Sequence, residues 1–166
     1  MWSVVSGGAS DSNPISSAVD PSRGIYFIDY ASNKTSIRFL NTTSSPVMVA
    51  GVSVPANSLK VLSAGQPFGI TVPSDSPIDS LDIDGIAAIA LNPDKSVLYL
   101  ARNYGETQKI QGLNLSPGTA SGTNTGVLMS GQNIKTGNVG VICDDKGGLL
   151  SQAIKGMAVS PTTGDI

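Results

Sequence analysis

The chain has 166 residues, 40% hydrophobic and 13% charged, with a formal net charge of −2 and no histidine. Its length suits one domain with a real core. The charge balance excludes a nucleic-acid surface, which needs clustered Lys and Arg, and the missing histidine excludes Ser-His-Asp and Cys-His nucleophile systems and His-ligated zinc or iron.

With so few charges, solvent-facing positions must rely on Ser, Thr, Asn and Gly, which favours short strands and turns over helices. The 19 glycines and 10 prolines are scattered and punctuate the chain throughout. Residues 1–14, "MWSVVSGGASDSNP", form an N-terminal segment without the basic start and sustained apolar run of a signal peptide. No window reaches the ~18 apolar residues of a membrane span, so membrane insertion is not expected. From Ser17 to Val19 a short strand is predicted, followed by the Pro turn "DPSRG". "GIYFIDY" reads as a strand covered on both faces, and "TSIRFLN" alternates as a strand with one exposed face. A fourth strand is expected at Val47 to Ala50, within "PVMVAGVSV", and "SLKVLSA" and "PFGITV" are further strand-like pieces.

The plan then recurs. Ile86 to Leu91, the turn "NPDKS", "SVLYLAR" and "TQKIQGLN" echo it with one extra turn residue, aligning Pro21 with Pro93, Tyr26 with Tyr99, Ile37 with Ile110, Leu40 with Leu113 and Asn41 with Asn114. "GVLMSG" and "GNVGVIC" follow, and "GMAVSPTTGDI" starts the plan a third time with a strand expected over Gly156 to Val159. The aligned prolines are 72 and 68 residues apart. Propeller repeats run ~40 to 50 residues, so each connection must hold an inserted loop.

The pattern carried by Ala18, Val19, Asp20, Pro21, Gly24, Tyr26, Asp29, Asn33, Ile37, Arg38, Asn41 and Val47 to Gly51 resembles the NHL-repeat β-propeller family. The resemblance implies an all-β fold of antiparallel four-stranded blades forming an incomplete β-propeller over residues 15–166, with repeat cores near 17–51, 86–114 and 156–166. The second copy departs from the pattern: Arg102 replaces the Asp and Gln111 the basic residue, which puts their structural role there in doubt. Two units and the start of a third cannot close a ring, so bare faces and edges are expected unless the chain is a fragment of a longer one or pairs with other copies. The break at Ile166, inside the third unit, is what a fragment would show.

Candidate chemistry is sparse. Asp79, Asp82 and Asp84 before Gly85 are weak candidates for a Ca²⁺ site, because alternate carboxylates ahead of a Gly turn can converge on one ion. Ser80 and Leu91 break the full loop pattern, and an acidic connecting loop is the plainer reading. Cys143 sits beside Asp144 and Asp145, which disfavour its thiolate, so it reads as structural. The Gly-rich pieces lack the phosphate-binding P-loop pattern. Glycosylation patterns at Asn33, Asn41 and Asn114 are a weak sign of an extracellular or cell-surface setting. Tyr26, Tyr99 and Phe39 lie within strands and read as core before recognition surface.

The expected function is therefore a non-catalytic binding module that recognises a protein or glycan partner, without catalytic residues or a required cofactor. Two alternatives stand beside it. One is a self-assembling structural protein, of a virion or surface layer, which fits the low charge and Ser/Thr/Gly-rich β character. The other is a fragment of a calcium-dependent propeller hydrolase or lyase; the His-on-zinc lyases that the resemblance brings in cannot be built here.

Overall fold

The computed structural model describes residues 13–31, 34–63, 76–77, 85–104, 107–116, 127–129, 132–144, 154–163 and 165–166. All regular elements among them are β-strands. The first sheet contains β1 (Asn13–Asp20), β2 (Gly24–Ala31), β3 (Lys34–Asn41) and, after an excursion, β6 (Leu59–Ser63), in the order β1-β2-β3-β6 and antiparallel throughout. The excursion is a separate two-stranded hairpin, β4 (Val47–Val49) with β5 (Val52–Val54).

The second sheet repeats this plan. It contains β8 (Ile86–Leu91), β9 (Val97–Tyr104), β10 (Thr107–Asn114) and β13 (Asn138–Asp144), antiparallel in that order. The hairpin β11 (Val127–Met129) with β12 (Gln132–Ile134) comes out between β10 and β13. A two-residue strand, β7 (Ser76–Pro77), pairs outside β13. The registers correspond: Gly24 faces Asn41 as Val97 faces Asn114, so Tyr26 and Tyr99 are equivalent positions.

Two strand placements need correction. Val47 to Ala50 is not the fourth strand of the sheet: Val47–Val49 folds back on β5 through Ala50 (φ 51) and Gly51 (φ 78), and Leu59–Ser63 takes the sheet edge. Two consecutive left-handed residues make the tight turn that matches the twist of a hairpin, which sheds β4 from the meander. Gly156 to Val159 forms no strand. The chain there is tied instead by Asn103, whose amide donates to Ile154 O at 2.8 Å and accepts from Ile154 N at 2.7 Å.

The sheets come together along β1 and β8, where Ile89 N donates to Ser16 Oγ at 3.1 Å. One face of the first sheet carries Tyr26, Ile28, Ile37 and Phe39, all fully buried, because Tyr26 pairs with Phe39 and Ile28 with Ile37 across the ladder. The Tyr26 and Phe39 rings lie 4.6 Å apart, tilted by 44°. Opposite them, Leu98, Leu100 and Leu113 of the second sheet complete one continuous core with Ile86, Ile89, Leu115 and Val139. Burial of such side chains contributes ~1.5–3 kcal/mol each, so the intersheet seam dominates stability.

That seam also decides which strands are covered. The central strand β9 has buried residues pointing both ways, Leu98 and Leu100 toward the first sheet and Val97 and Ala101 away from it. In β2 the alternate residues Ile25 and Phe27 are only half-buried, so the expectation of a strand covered on both faces fails there. Strand β10 was expected to expose one face, yet Gln108 and Gln111 are buried with Leu113.

The first hairpin explains the long repeat spacing. Val49, Ala50 and Val54 belong to the shared core, and Ala50 N donates to Leu115 O at 3.3 Å. Gly137, at φ 75, passes so close that an added Cβ would stand 2.7 Å from Ala50 O. The insertion is a clasp that reaches from one unit onto the next.

Candidate functional site

Each unit opens with a polar turn whose geometry follows from a short side chain bonding its own backbone. In the first, Asp20 Oδ1 accepts from Ser22 N at 2.9 Å and from Ser22 Oγ at 2.6 Å, while Oδ2 accepts from Arg23 Nε at 2.6 Å. Gly24 starts β2 at φ 154, where a Cβ would collide with Leu40 O. In the second, Asp94 Oδ1 accepts from Ser96 N at 2.9 Å, Ser96 Oγ at 2.6 Å and Asn92 Nδ2 at 2.5 Å. Asn92 Oδ1 accepts from Val97 N at 2.8 Å, and the extra residue is absorbed with Lys95 at φ 63. Near Pro161 the partners differ: Thr163 N donates to Ser160 Oγ at 3.2 Å and Thr163 Oγ1 to Asp165 Oδ2 at 2.7 Å.

The first two turns stand side by side. Arg23 Nη2 donates to Lys95 O at 2.6 Å, linking the two units. Between them lies a cleft of about 220 Å³ walled by Asp20, Ser22, Arg23, Asp94, Lys95 and Ser96, with Leu115 and Ser116 also lining it. That volume falls below the ~300–1,000 Å³ of pockets that engulf small molecules, so the cleft fits one polar side chain or one sugar ring.

Both carboxylates of the cleft are stabilised in their charged form. Burial pushes the Asp20 carboxyl up, but the hydrogen bonds from Ser22 and Arg23 outweigh it and hold the group below its ordinary value. Asp94 is lowered chiefly by the Ser96 hydroxyl, against a smaller opposing effect of burial. A carboxylate of lowered basicity takes a proton from a serine poorly, so Ser22 and Ser96 are donors rather than activated nucleophiles. The Tyr26 hydroxyl is buried without a hydrogen-bond partner; burial raises it far above its ordinary value, the Arg23 charge pulls it partly back and the Asp20 charge adds to the rise. It stays neutral.

Other residues singled out in the sequence find structural places. Asp29, 1% exposed, pairs with Arg38 Nη2 at 2.9 Å across β2 and β3. At the equivalent positions of the second unit Arg102 Nη1 donates to Gln111 Oε1 at 3.1 Å, a charge-assisted hydrogen bond across β9 and β10. Asn41 and Asn114 are fully buried: Asn41 Nδ2 donates to Ser45 O, Val54 O and Pro55 O, and Asn114 Nδ2 to Ile134 O. Their Oδ1 atoms accept from Thr43 N and Ser116 N. These amides anchor the hairpins, so neither site is open to a glycan in the folded chain. Cys143 lies on β13 opposite Ile110. Asp79, Asp82 and Asp84, with Asn33, lie outside the described residues. Among the described residues no group of three or more His, Cys, Asp or Glu side chains could hold a metal ion.

Sequence reasoning recognised each turn but not the cleft, which exists because two turns 72 residues apart meet. The recurrence of Pro21 and Pro93 was the available signal. Compared with family models, with curated proteins and with solved structures, the chain matches none.

Proposed function

We propose that the protein is a non-catalytic binding module that takes a protein or glycan partner at the ends of its units, with the cleft between the two Pro turns as the contact point. The observation that carries this reading is the pairing of two preorganised polar turns across Arg23 and Lys95 O. Their hydroxyls, carboxylates and cations are fixed by internal hydrogen bonds, so little side-chain entropy remains to be lost on binding. The exposed Asp94 carboxylate and the serine hydroxyl oxygens, whose own protons go to the carboxylates, can accept from a sugar diol or a peptide amide.

In the same reading the two sheets are adjacent blades of an incomplete NHL-like β-propeller. Three features support it: four-stranded antiparallel meanders, the approach of the first strands β1 and β8, and the recurrence of the unit with matched register. The clasping hairpins account for the excess length of each repeat.

The test is a screen of immobilised glycans and displayed peptides with the intact chain, repeated with Arg23→Ala and Asp94→Ala. Binders that weaken at least tenfold with both variants, while thermal unfolding shifts little, are the expected result. Binders indifferent to both variants would move the site elsewhere, and no binder at all would remove the reading.

A further inference from the structure

The two turns satisfy most of their own polar groups, and what they leave over limits what the cleft can take. The backbone N–H groups of Ser22 and Ser96 go to the carboxylates of Asp20 and Asp94, and those of Arg23 and Lys95 to Asp20 O and Asn92 O. Both serine hydroxyl protons are spent on the same carboxylates. The side-chain donors left in the turns are therefore cationic. Arg23 is held at Nε by Asp20 Oδ2 and at Nη2 by Lys95 O, which fixes the guanidinium plane and leaves Nη1 uncommitted. Lys95 Nζ makes only a long contact with Asn92 O, at 3.5 Å. Of the two carboxylates, Asp20 is buried and spends its charge on Arg23. Asp94 is exposed, and its three hydrogen bonds all fall on Oδ1, so Oδ2 stays open.

We propose that the cleft takes one acidic sugar ring, a uronic acid residue of a glycan, with its carboxylate on Arg23 and Lys95 and its ring hydroxyls on Asp94 Oδ2. This rests on the cleft being the contact point of the binding module. A carboxylate matches the planar fork of a guanidinium, and a fork already pinned at two nitrogens loses little freedom in taking it. A bare dianion fits less well, because the Asp94 charge lines the same small space and repels it. A hydroxyl beside the ligand's carboxylate turns that repulsion into a charge-assisted hydrogen bond. A neutral sugar leaves both cations without an anion, and an acidic peptide side chain carries no donor next to its carboxylate. The volume of about 220 Å³ gives room for one such ring.

Calorimetric titration of the intact chain tests this with oligomers of galacturonate and glucuronate, their neutral methyl esters, succinate and a Glu-rich peptide. The expected result is that one of the uronates binds about tenfold or more tightly than its ester, succinate or the peptide, the weight of one charge-assisted hydrogen bond, and weakens as salt is raised. Asp94→Asn keeps the Oδ1 acceptor that holds the turn but replaces the open Oδ2 by an amide. It is expected to weaken the uronate about tenfold while succinate binds as before or more tightly. Arg23→Lys is expected to weaken both, with thermal unfolding as the check that each variant folds. Ester, succinate or peptide binding as tightly as the uronate would overturn the acidic-sugar assignment, as would uronate binding indifferent to both variants. A chain that binds another glycan or a peptide through Arg23 but no uronate would sink this assignment and leave the binding module standing. Binding of nothing at all would sink both.

Discussion

The two units share a plan and a register, but one is wrapped by its surroundings and the other is not. In the second, β9 and β10 are buried on both sides, and its polar pair, Arg102 with Gln111, is buried with them. In the first, one face holds the core and the other shows Val19 and Val61 to water, crossed by the partly exposed Arg38 on its buried Asp29. Position in the stack, more than local sequence, sets how apolar each strand must be. A buried charge needs a partner, as Arg38 supplies for Asp29 in the first unit.

Substituting equivalent residues in the two units measures that difference. Leu98→Ala empties a fully buried site in the seam and is expected to cost about 3 kcal/mol or more, whereas Ile25→Ala at the matching half-buried position should cost less than about 1.5 kcal/mol. Urea denaturation checks both, and a single transition is expected because the core runs through both sheets. Equal costs would mean that the outer face is as well packed as the inner.

Gly137→Ala and Asn57→Ala compare one position in the two units, two residues ahead of Val139 opposite Leu113 and of Leu59 opposite Leu40. Both residues have positive φ, but Gly137 also abuts Ala50 O. The first substitution should destabilise by about 2 kcal/mol or more, the second by about 1 kcal/mol. Thermal unfolding distinguishes them, and Gly156→Ala, in open space, is the neutral control.

Both turns should weaken in acid, because each holds its carboxyl below the ordinary value. With the Asp20 carboxyl held below its ordinary value when folded, its stabilisation is complete above the unfolded-state pKa of about 4 and disappears as pH falls through the lower folded value. Asp20→Asn should therefore lower stability by about 1 kcal/mol at neutral pH and make no difference once the carboxyl is protonated. A deficit persisting undiminished at pH 2 would show that Asn fails for a reason other than charge. The smallest effect is expected in the other turn: Lys95→Gly relieves a left-handed backbone and should raise stability by about 0.5–1 kcal/mol in the same denaturation assay.

Much of the ladder was legible because β2, β3, β9 and β10 are long, apolar and repeated; even the extra turn residue could be read from Tyr26 and Tyr99. The fourth strand was not. "VMV", "VSV" and "LKVLS" are equally β-prone, and the hairpin turns on Ala50-Gly51 without the usual Asn-Gly signal. The glycosylation patterns at Asn41 and Asn114 misled because a buried amide anchor and an acceptor site share one short pattern, and only burial tells them apart. At the cleft, the hydrogen bonds from Ser22 to Asp20 and from Ser96 to Asp94 are local and readable, but the meeting of Arg23 with Lys95 O depends on how the sheets pack.

The two-residue strand at Ser76–Pro77 bears on how the chain avoids runaway fibre growth. A proline has no N–H to offer an incoming strand, and at the edge of a sheet it acts as a gatekeeper against cross-β extension. At the first sheet's corresponding edge, the five-residue β6 carries an irregularity in its ladder and an exposed Lys60. Both margins are poor templates for further main-chain pairing, so aggregation through added strands is discouraged.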